Sequence, residues 1–332
     1  MTKIYMYGVS EQEIPIAEKW EQLTDIAVTM DPDILEADTV DRCEGYDGVS
    51  TYQYKKVDES VYETLKSFGI RNIAQRMAGY DPFDLELATK NDIIISNVPD
   101  YSPGSIAEYT VAQILNGLHH LYKIHDQVRQ YDFRESLAIR GGRLARATVG
   151  IIGTGRIGRT VAHMVHDGFG AKVVGYDMYQ NEEIKSILTY YDTVEEVVEK
   201  SDIISLHLPA TKDTIHMFND DLFARFKDKT ILVNAGRGAL IDTEALIRAL
   251  DMGKVGFAAL DTYENEFDFV KHDYRDRELN DPVLTDLISR ENVVYTPHIA
   301  YYTDESVENM VHRALQSTLE VISFNDARYR VN

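Results

Sequence analysis

Three closely spaced glycines, Gly153, Gly155 and Gly158, follow a short apolar segment at residues 148–152. Nineteen residues beyond the last of them comes an aspartate, Asp177. In this spacing the first glycine lets a strand turn sharply into a helix, the second lets a phosphate approach bare backbone, and the third lets the helix pack closely on the strand. The helix N-terminus then faces the phosphate, and the aspartate can accept hydrogen bonds from a ribose. The pattern therefore predicts a dinucleotide-binding site.

The acidic residue also indicates which dinucleotide is bound. Asp177 would repel the 2′-phosphate of NADP, and the neighbouring Met178 and Tyr179 carry no positive charge, so NAD is favoured. Two other interpretations remain open at this point. S-adenosylmethionine sites also use a glycine-rich loop and an acidic strand end, and a glycine-rich turn can exist without any ligand.

Residues suited to anion binding and proton transfer follow three later apolar segments. They are Arg237 in a glycine-flanked loop, a carboxylate cluster at Asp261, Glu264 and Glu266, and His298 directly after a proline. Ligands of open α/β sheets bind outside the carboxyl ends of the strands. If the apolar segments are strands of one sheet, these side chains are expected at the same edge as the glycine motif.

An arginine, a carboxylate and a histidine at neighbouring strand ends fit hydride transfer to a 2-keto acid. A guanidinium can bind the substrate carboxylate through two parallel hydrogen bonds. A protonated histidine can donate to the keto oxygen, and a carboxylate beside it favours the protonated form. Each residue alone has a structural alternative: a surface ion pair for Arg237, a structural histidine for His298 and a solvated charge for Glu266.

The residues before the glycine motif have their own alternation of strands and helices. The apolar segments predict strands at residues 3–7, 26–30, 48–51, 72–74 and 92–96, with helices at 14–22, 59–68 and 82–89. Strands continue after the motif at 203–207, 230–233, 256–260 and 293–295. This alternation predicts an α/β protein with parallel sheets covered by helices on both faces. A last helix at 304–324 is expected to pack on the first domain.

Composition narrows the class of protein. The 332 residues can form two domains, and 34 basic against 55 acidic residues give a net charge of −21, which argues against a nucleic-acid partner. An anionic substrate would therefore depend on local positive charge. The start of the chain has no signal-peptide core, and no apolar segment is long enough to span a membrane, so a cytoplasmic protein is expected. No residue spacing suggests a metal site.

Four segments together carry a resemblance to a known family. Residues 153–158, 234–238, 260–266 and 296–302 resemble the corresponding motifs of the D-2-hydroxyacid dehydrogenases. The resemblance extends along nearly the whole chain and is greatest to the bacterial D-lactate and D-2-hydroxyisocaproate branches. It implies two doubly wound domains with the active site in the cleft between them: a Rossmann NAD domain at 101–299 and a flavodoxin-like substrate domain at 1–100 and 300–332.

The resemblance also implies roles for individual residues. His298 would be the acid/base, Glu266 its partner and Arg237 the substrate anchor. Cofactor contacts would come from Gly153, Gly155, Arg156, Ile157, Gly158, Asp177, Pro209, Ala235, Gly236 and Asp261. Substrate contacts would come from the backbone amides of Ala78 and Gly79 and from Tyr52, Tyr101, Arg237 and Tyr302. A homodimer is implied as well, through the helix predicted at 105–122.

The implied reaction is reversible hydride transfer between NADH and pyruvate, giving D-lactate. Two departures leave the length of the substrate open. The loop after Arg76 reads Met-Ala-Gly where the lactate branch commonly has Asn-Val-Gly, and residues 299–302 are nearer the hydroxyisocaproate type. The alternatives are the same chemistry on 2-ketoisocaproate or phenylpyruvate, and an NAD-sensing binding protein without enzymatic activity.

Overall fold

The computed structural model describes residues 2–266 and 269–332 and divides the chain into two compact units. The first unit combines Met1–Ser102 with Tyr302–Asn332, and the second consists of Pro103–Tyr301. At both crossings the chain changes unit two residues after the bounds that the family resemblance implies.

The first unit is built around five parallel strands, β1 Lys3–Tyr7, β2 Ala27–Met30, β3 Gly48–Thr51, β4 Asn72–Gln75 and β5 Ile94–Ser96. They lie in the flavodoxin-like order β2-β1-β3-β4-β5. The helices of this unit are α1 Ile14–Thr24, α2 Glu59–Ser67, α3 Leu85–Lys90 and, from the end of the chain, α11 Asp304–Phe324.

Helices cover both faces of the first sheet because side chains alternate along its strands. On one face, Ile4 and Met6 of β1 lie in a core cluster with Trp20 of α1 and Leu315 of α11. On the other face, Tyr7 lies in a cluster that includes side chains of α2. Burial on both faces is typical of parallel sheets. The last helix therefore belongs to the core of the first unit.

The second unit contains seven parallel strands, β6 Thr148–Ile152, β7 Lys172–Tyr176, β8 Leu188–Tyr190, β9 Ile203–Leu206, β10 Thr230–Asn234, β11 Val255–Leu260 and β12 Val293–Tyr295. Their order, β12-β11-β10-β9-β6-β7-β8, is the Rossmann order with one additional strand. The helices are α4 Pro103–His119, α5 Leu121–Arg129, α6 Arg156–His163, α7 Val194–Lys200, α8 Asp220–Ala224, α9 Thr243–Asp251 and α10 Pro282–Ser289.

All strands of the second sheet point the same way, so the loops that follow them leave at one edge. Strands β10, β11 and β12 are direct neighbours, with Asn234 opposite Leu260 and Leu260 opposite Tyr295 at their carboxyl ends. The loops carrying the predicted arginine, carboxylates and histidine therefore start side by side.

One segment predicted as a single helix forms two helices in the structure. The segment expected as a single helix at 105–122 is divided at His120, which has a left-handed backbone conformation with φ of 54°. A residue in this conformation ends an α-helix. Helix α4 therefore stops at His119, and α5 begins at Leu121.

Candidate active site

The glycine motif forms an open cradle at the start of α6. Gly153 turns the chain with φ of +95°. A Cβ at Gly158 would lie 2.0 Å from the carbonyl oxygen of Gly153, so only glycine permits this approach of helix to strand. At Gly155, by contrast, a Cβ would meet no atom of the described residues within 4 Å. The open space in front of the α6 N-terminus fits the pyrophosphate of a dinucleotide.

Asp177 lies at the end of β7, beside this cradle. Its Oδ2 accepts hydrogen bonds from the backbone N–H of Thr154 at 2.6 Å and from the Thr154 hydroxyl at 3.1 Å. Its Oδ1 accepts from the N–H of Tyr179 at 2.9 Å. These bonds fix an acceptor-only carboxylate next to the glycine turn, where it suits the hydroxyls of an unphosphorylated ribose.

The other predicted cofactor residues also lie at strand ends. Arg156 and Ile157 begin α6, Pro209 follows β9, and Ala235 and Gly236 follow β10. The residues present therefore fit NAD along the carboxyl edge of the second sheet.

Replacing Gly155 by alanine should weaken NADH binding about ten-fold or more without unfolding the protein, because the Cβ would fill only the space meant for the pyrophosphate. The backbone φ of −63° at this position is accessible to alanine. NADH fluorescence titration and thermal unfolding measure the two effects. The matched control is Gly158→Ala, which should lower the melting temperature because its Cβ meets backbone. Unchanged NADH affinity in folded Gly155→Ala would count against the cradle.

Arg237 lies in a loop that is tied down from both sides. The buried Asn234 at the end of β10 accepts from the N–H of Gly236 and donates to the carbonyl of Arg237, both at 3.0 Å. Gly238 packs directly on the backbone of Tyr263, where a Cβ would lie only 2.1 Å from the carbonyl carbon. The arginine loop is thus held against the acidic segment that follows β11.

The Arg237 guanidinium is available for an anion. Its Nη1 donates to the carbonyl of Gly236 at 3.2 Å. Within residues 2–266 and 269–332 it has no carboxylate partner at ion-pair distance. The residue is partly buried. A partly buried guanidinium without a carboxylate partner can bind the carboxylate of a substrate.

His298 and Glu266 form a close pair. The Nδ1 atom of His298 lies 2.7 Å from Oε1 of Glu266. The histidine side chain is 29% exposed, and the glutamate side chain is 7% exposed. The second oxygen of Glu266 accepts from the N–H of Tyr263 at 2.9 Å, which fixes the carboxylate. Because Nδ1 faces the carboxylate, Nε2 is the nitrogen left to donate a proton to a substrate.

The neighbouring Glu264 is placed differently. One of its oxygens lies 2.7 Å from Nε2 of His216, and the other accepts from the N–H of Thr243 at 3.1 Å. The structure therefore brings Glu266, and not Glu264, to His298.

The predicted cofactor residue Asp261 binds the histidine loop. Its carboxylate, 1% exposed, accepts from the Thr296 hydroxyl at 2.6 Å, from the N–H of Ile299 at 3.0 Å and from that of Ala300 at 2.8 Å. The backbone of His298 itself has φ of 56°, a conformation that costs a non-glycine residue about 1–3 kcal/mol. Asp261 thus holds the loop in the strained form that presents the imidazole.

A second histidine at this edge, His207, is not among the predicted site residues. It directly follows β9, and its Nε2 lies 2.9 Å from the Ser205 hydroxyl. Burial lowers the pKa of His207 to about 4. Its imidazole is therefore neutral near pH 7 and cannot replace His298 as the proton donor.

The predicted substrate amides lie in the first unit, after β4. The carbonyls of Met77, Ala78 and Gly79 accept from the N–H of Val98 at 2.9 Å, the side chain of Asn97 at 2.7 Å and the side chain of Gln75 at 3.3 Å. The N–H groups of Ala78 and Gly79 donate to no acceptor in the described part of the chain. With its carbonyls turned inward, this loop offers two amide donors.

The tyrosines predicted to bind substrate also belong to the first unit or its boundary. Tyr52 follows β3 and is buried, and Tyr101 is partly buried. Tyr302 is exposed.

Comparisons with known proteins identify the class. Residues 111–300 match the family model of the D-isomer specific 2-hydroxyacid dehydrogenases, NAD binding domain. The chain belongs to this family. It is an NAD-dependent oxidoreductase, so the predicted fold class and cofactor are confirmed and the S-adenosylmethionine interpretation is wrong.

Individual relatives are similar over their whole length. A D-lactate dehydrogenase of Staphylococcus epidermidis is 45% identical to this chain over 332 residues, with full coverage of both chains. The crystal structure of a D-lactate dehydrogenase from Treponema pallidum is 37% identical, with a TM-score of 0.91 and full coverage of both. The structure of a D-2-hydroxyisocaproate dehydrogenase is 32% identical, with a TM-score of 0.92 and 99% of each chain covered.

No helix in the described ranges is long and apolar enough to cross a membrane. The same residues contain no group of three or more histidine, cysteine or acidic side chains that could hold a metal ion.

Proposed function

We propose that this chain is an NAD-dependent D-lactate dehydrogenase that interconverts pyruvate and D-lactate. The observation that carries the proposal is the pairing of His298 with Glu266 beside the loop of Arg237, on three adjacent strands of the NAD-binding sheet. The D-lactate dehydrogenases that match this chain over its full length support the choice of substrate.

The residues divide the reaction between binding and proton transfer. NAD, when bound, supplies or accepts the hydride. Arg237 binds the substrate carboxylate and orients the keto group. His298 donates a proton from Nε2 to the keto oxygen during reduction and takes it back during oxidation. Glu266 fixes the tautomer and the orientation of the imidazole.

The first unit is the proposed substrate domain. The free N–H groups of Ala78 and Gly79 suit a second contact with the substrate carboxylate. Tyr52, Tyr101 and Tyr302 are proposed to line the substrate pocket. These aromatic side chains would set how bulky a 2-keto acid can bind.

A substrate panel tests the proposal directly. We expect NADH oxidation with pyruvate, formation of D-lactate, and a higher kcat/KM for pyruvate than for 2-ketoisocaproate or phenylpyruvate. One methylene changes discrimination by only about 1–3 kcal/mol, so activity on the larger acids is expected too. A preference for the larger acids would change the substrate assignment. Tight NADH binding without turnover of any 2-keto acid would instead favour an NAD-sensing protein.

Replacing Glu266 by glutamine should lower kcat/KM for pyruvate reduction. The amide can still contact Nδ1, but its NH₂ group can donate there, so it no longer fixes the tautomer in which Nε2 carries the proton. The measurement is kcat/KM for pyruvate with NADH. Glu264→Gln is the matched control and should leave kcat/KM unchanged, because Glu264 contacts His216. An unchanged kcat/KM in Glu266→Gln would contradict the pairing.

A homodimer is also part of the proposal. Helix α4, the predicted contact helix, buries several of its apolar side chains inside its own unit. The segment that follows exposes five large apolar side chains, Leu121, Val128, Tyr131, Phe133 and Leu137. Exposed apolar side chains concentrated in one segment suit contact with a second copy of the chain. Sedimentation equilibrium should give twice the chain mass of 37.8 kDa, and a monomer would exclude this assembly.

A further inference from the structure

A line of side-chain hydrogen bonds connects helix α4 to the histidine loop within the second unit. The amide Nε2 of Gln113 donates to the hydroxyl of Tyr109 at 3.0 Å. The Tyr109 hydroxyl contacts the hydroxyl of Thr296, which donates to Oδ1 of Asp261 at 2.6 Å. Tyr109 and Thr296 are 187 positions apart in the sequence, so this contact joins two distant segments.

The donors and acceptors available fix which group donates in each of these hydrogen bonds. An ionised carboxylate only accepts, so the single hydroxyl proton of Thr296 is directed to Asp261. The Tyr109 hydroxyl must then donate to Thr296, while it accepts from the Gln113 amide. Burial raises the pKa of Tyr109, so the phenol keeps the proton it donates. Successive hydrogen bonds that point the same way strengthen one another.

The line ends on the group that sets the backbone around His298. The carboxylate of Asp261 accepts from the N–H groups of Ile299 and Ala300, and its own carbonyl accepts from the N–H of His298 at 2.8 Å. Three successive residues of the loop are therefore fastened to one aspartate. A fixed Thr296 rotamer orients that aspartate's carboxylate.

We propose that Tyr109 is a positioning residue for His298, acting through Thr296 and Asp261. The expected effect of Tyr109 on catalysis rests on the proposed function, whereas its expected effect on the histidine loop does not. Loss of the Tyr109 hydroxyl should loosen the residues that flank His298.

The first readout is independent of turnover. In Tyr109→Phe and in Thr296→Val, the amide hydrogens of Ile299 and Ala300 should exchange about ten-fold faster than in the unmodified protein. The reason is that their hydrogen bonds to Asp261 break more often. Tyr122→Phe is the matched control, since Tyr122 stacks on Phe257 at 4.7 Å in the same unit. Its exchange at Ile299 and Ala300 should be unchanged.

The second readout is kinetic. Tyr109→Phe should lower kcat for pyruvate about five- to thirty-fold, with KM and NADH affinity within about two-fold, because proton donation needs an aligned imidazole. The double variant with Thr296→Val should be no slower than the slower single variant, since both changes break one line.

The outcomes separate the two proposals. Wild-type exchange rates in both variants, or additive losses in the double variant, would overturn the role of Tyr109. If the unmodified protein reduces no 2-keto acid, the proposed function fails, and the exchange rates alone decide the role of Tyr109.

Discussion

Replacing His298 by alanine should lower kcat for pyruvate reduction by about 10²–10⁴-fold, the range usually contributed by a general acid. NADH affinity should stay within about two-fold, because the glycine cradle and Asp177 lie at other strands of the sheet. Stopped-flow kinetics and NADH fluorescence titration measure the two quantities.

His207 provides the matched control for this prediction. It lies at the same edge of the second sheet, but its low pKa keeps it neutral near pH 7. His207→Gln should therefore keep kcat within a few-fold of the unmodified rate. If His298→Ala stayed within a few-fold of that rate, or if His207→Gln lowered kcat as far as His298→Ala is expected to, His298 would not be the proton donor.

Replacing Arg237 by alanine should lower kcat/KM for pyruvate by about 30- to 5,000-fold. This range corresponds to about 2–5 kcal/mol, the cost of removing one partner of a desolvated, hydrogen-bonded charge pair. Arg237→Lys should recover only part of the loss, because an ammonium cannot form the planar two-bond contact with a carboxylate. Steady-state kinetics with pyruvate, and inhibition by oxamate, measure the loss of anion binding.

An exposed arginine of the same unit serves as the control for Arg237. Arg248 pairs with Asp220 at 2.8 Å on the surface, where solvent screens such a pair and it contributes little. Arg248→Ala should therefore leave kcat/KM unchanged. An Arg237→Ala variant with nearly normal kcat/KM would show that the substrate carboxylate binds elsewhere.

Much of the fold could be predicted from local patterns in the sequence. The last helix was expected at 304–324 and lies at Asp304–Phe324, because its apolar side chains recur at helical spacing over several turns. The strand at Val293–Tyr295 also has its predicted bounds. The glycine motif could be interpreted because each glycine has a separate steric requirement, and those requirements are visible in the structure.

Short elements were missed where too few residues carry a pattern. Strand β8 has only three residues, of which Leu188 alone is fully buried, so no alternation could indicate it. Helices α8 and α10 have five and eight residues and were not predicted either. The break at His120 depends on a left-handed conformation that histidine does not favour by itself.

The site was predictable as a set of strand ends but not in its connections. Three acidic residues follow β11, and no local pattern decides which of them reaches His298. The family resemblance implied Glu266, and the structure brings Glu266 to His298 and Glu264 to His216. The hydrogen bonds that Asp261 accepts join segments 35 or more positions apart, and a local pattern carries no information about such contacts. Asn234 is the last residue of β10, and this position could have marked it as a support for the loop that follows.

The most direct test of the central claim is a crystal structure of the protein with NADH and oxamate, an unreactive analogue of pyruvate. We predict that the guanidinium of Arg237 and Nε2 of His298 both lie within about 3.2 Å of the same oxamate molecule, next to the nicotinamide ring. A complex in which oxamate contacts only one of these two side chains, or binds away from the nicotinamide, would contradict the account.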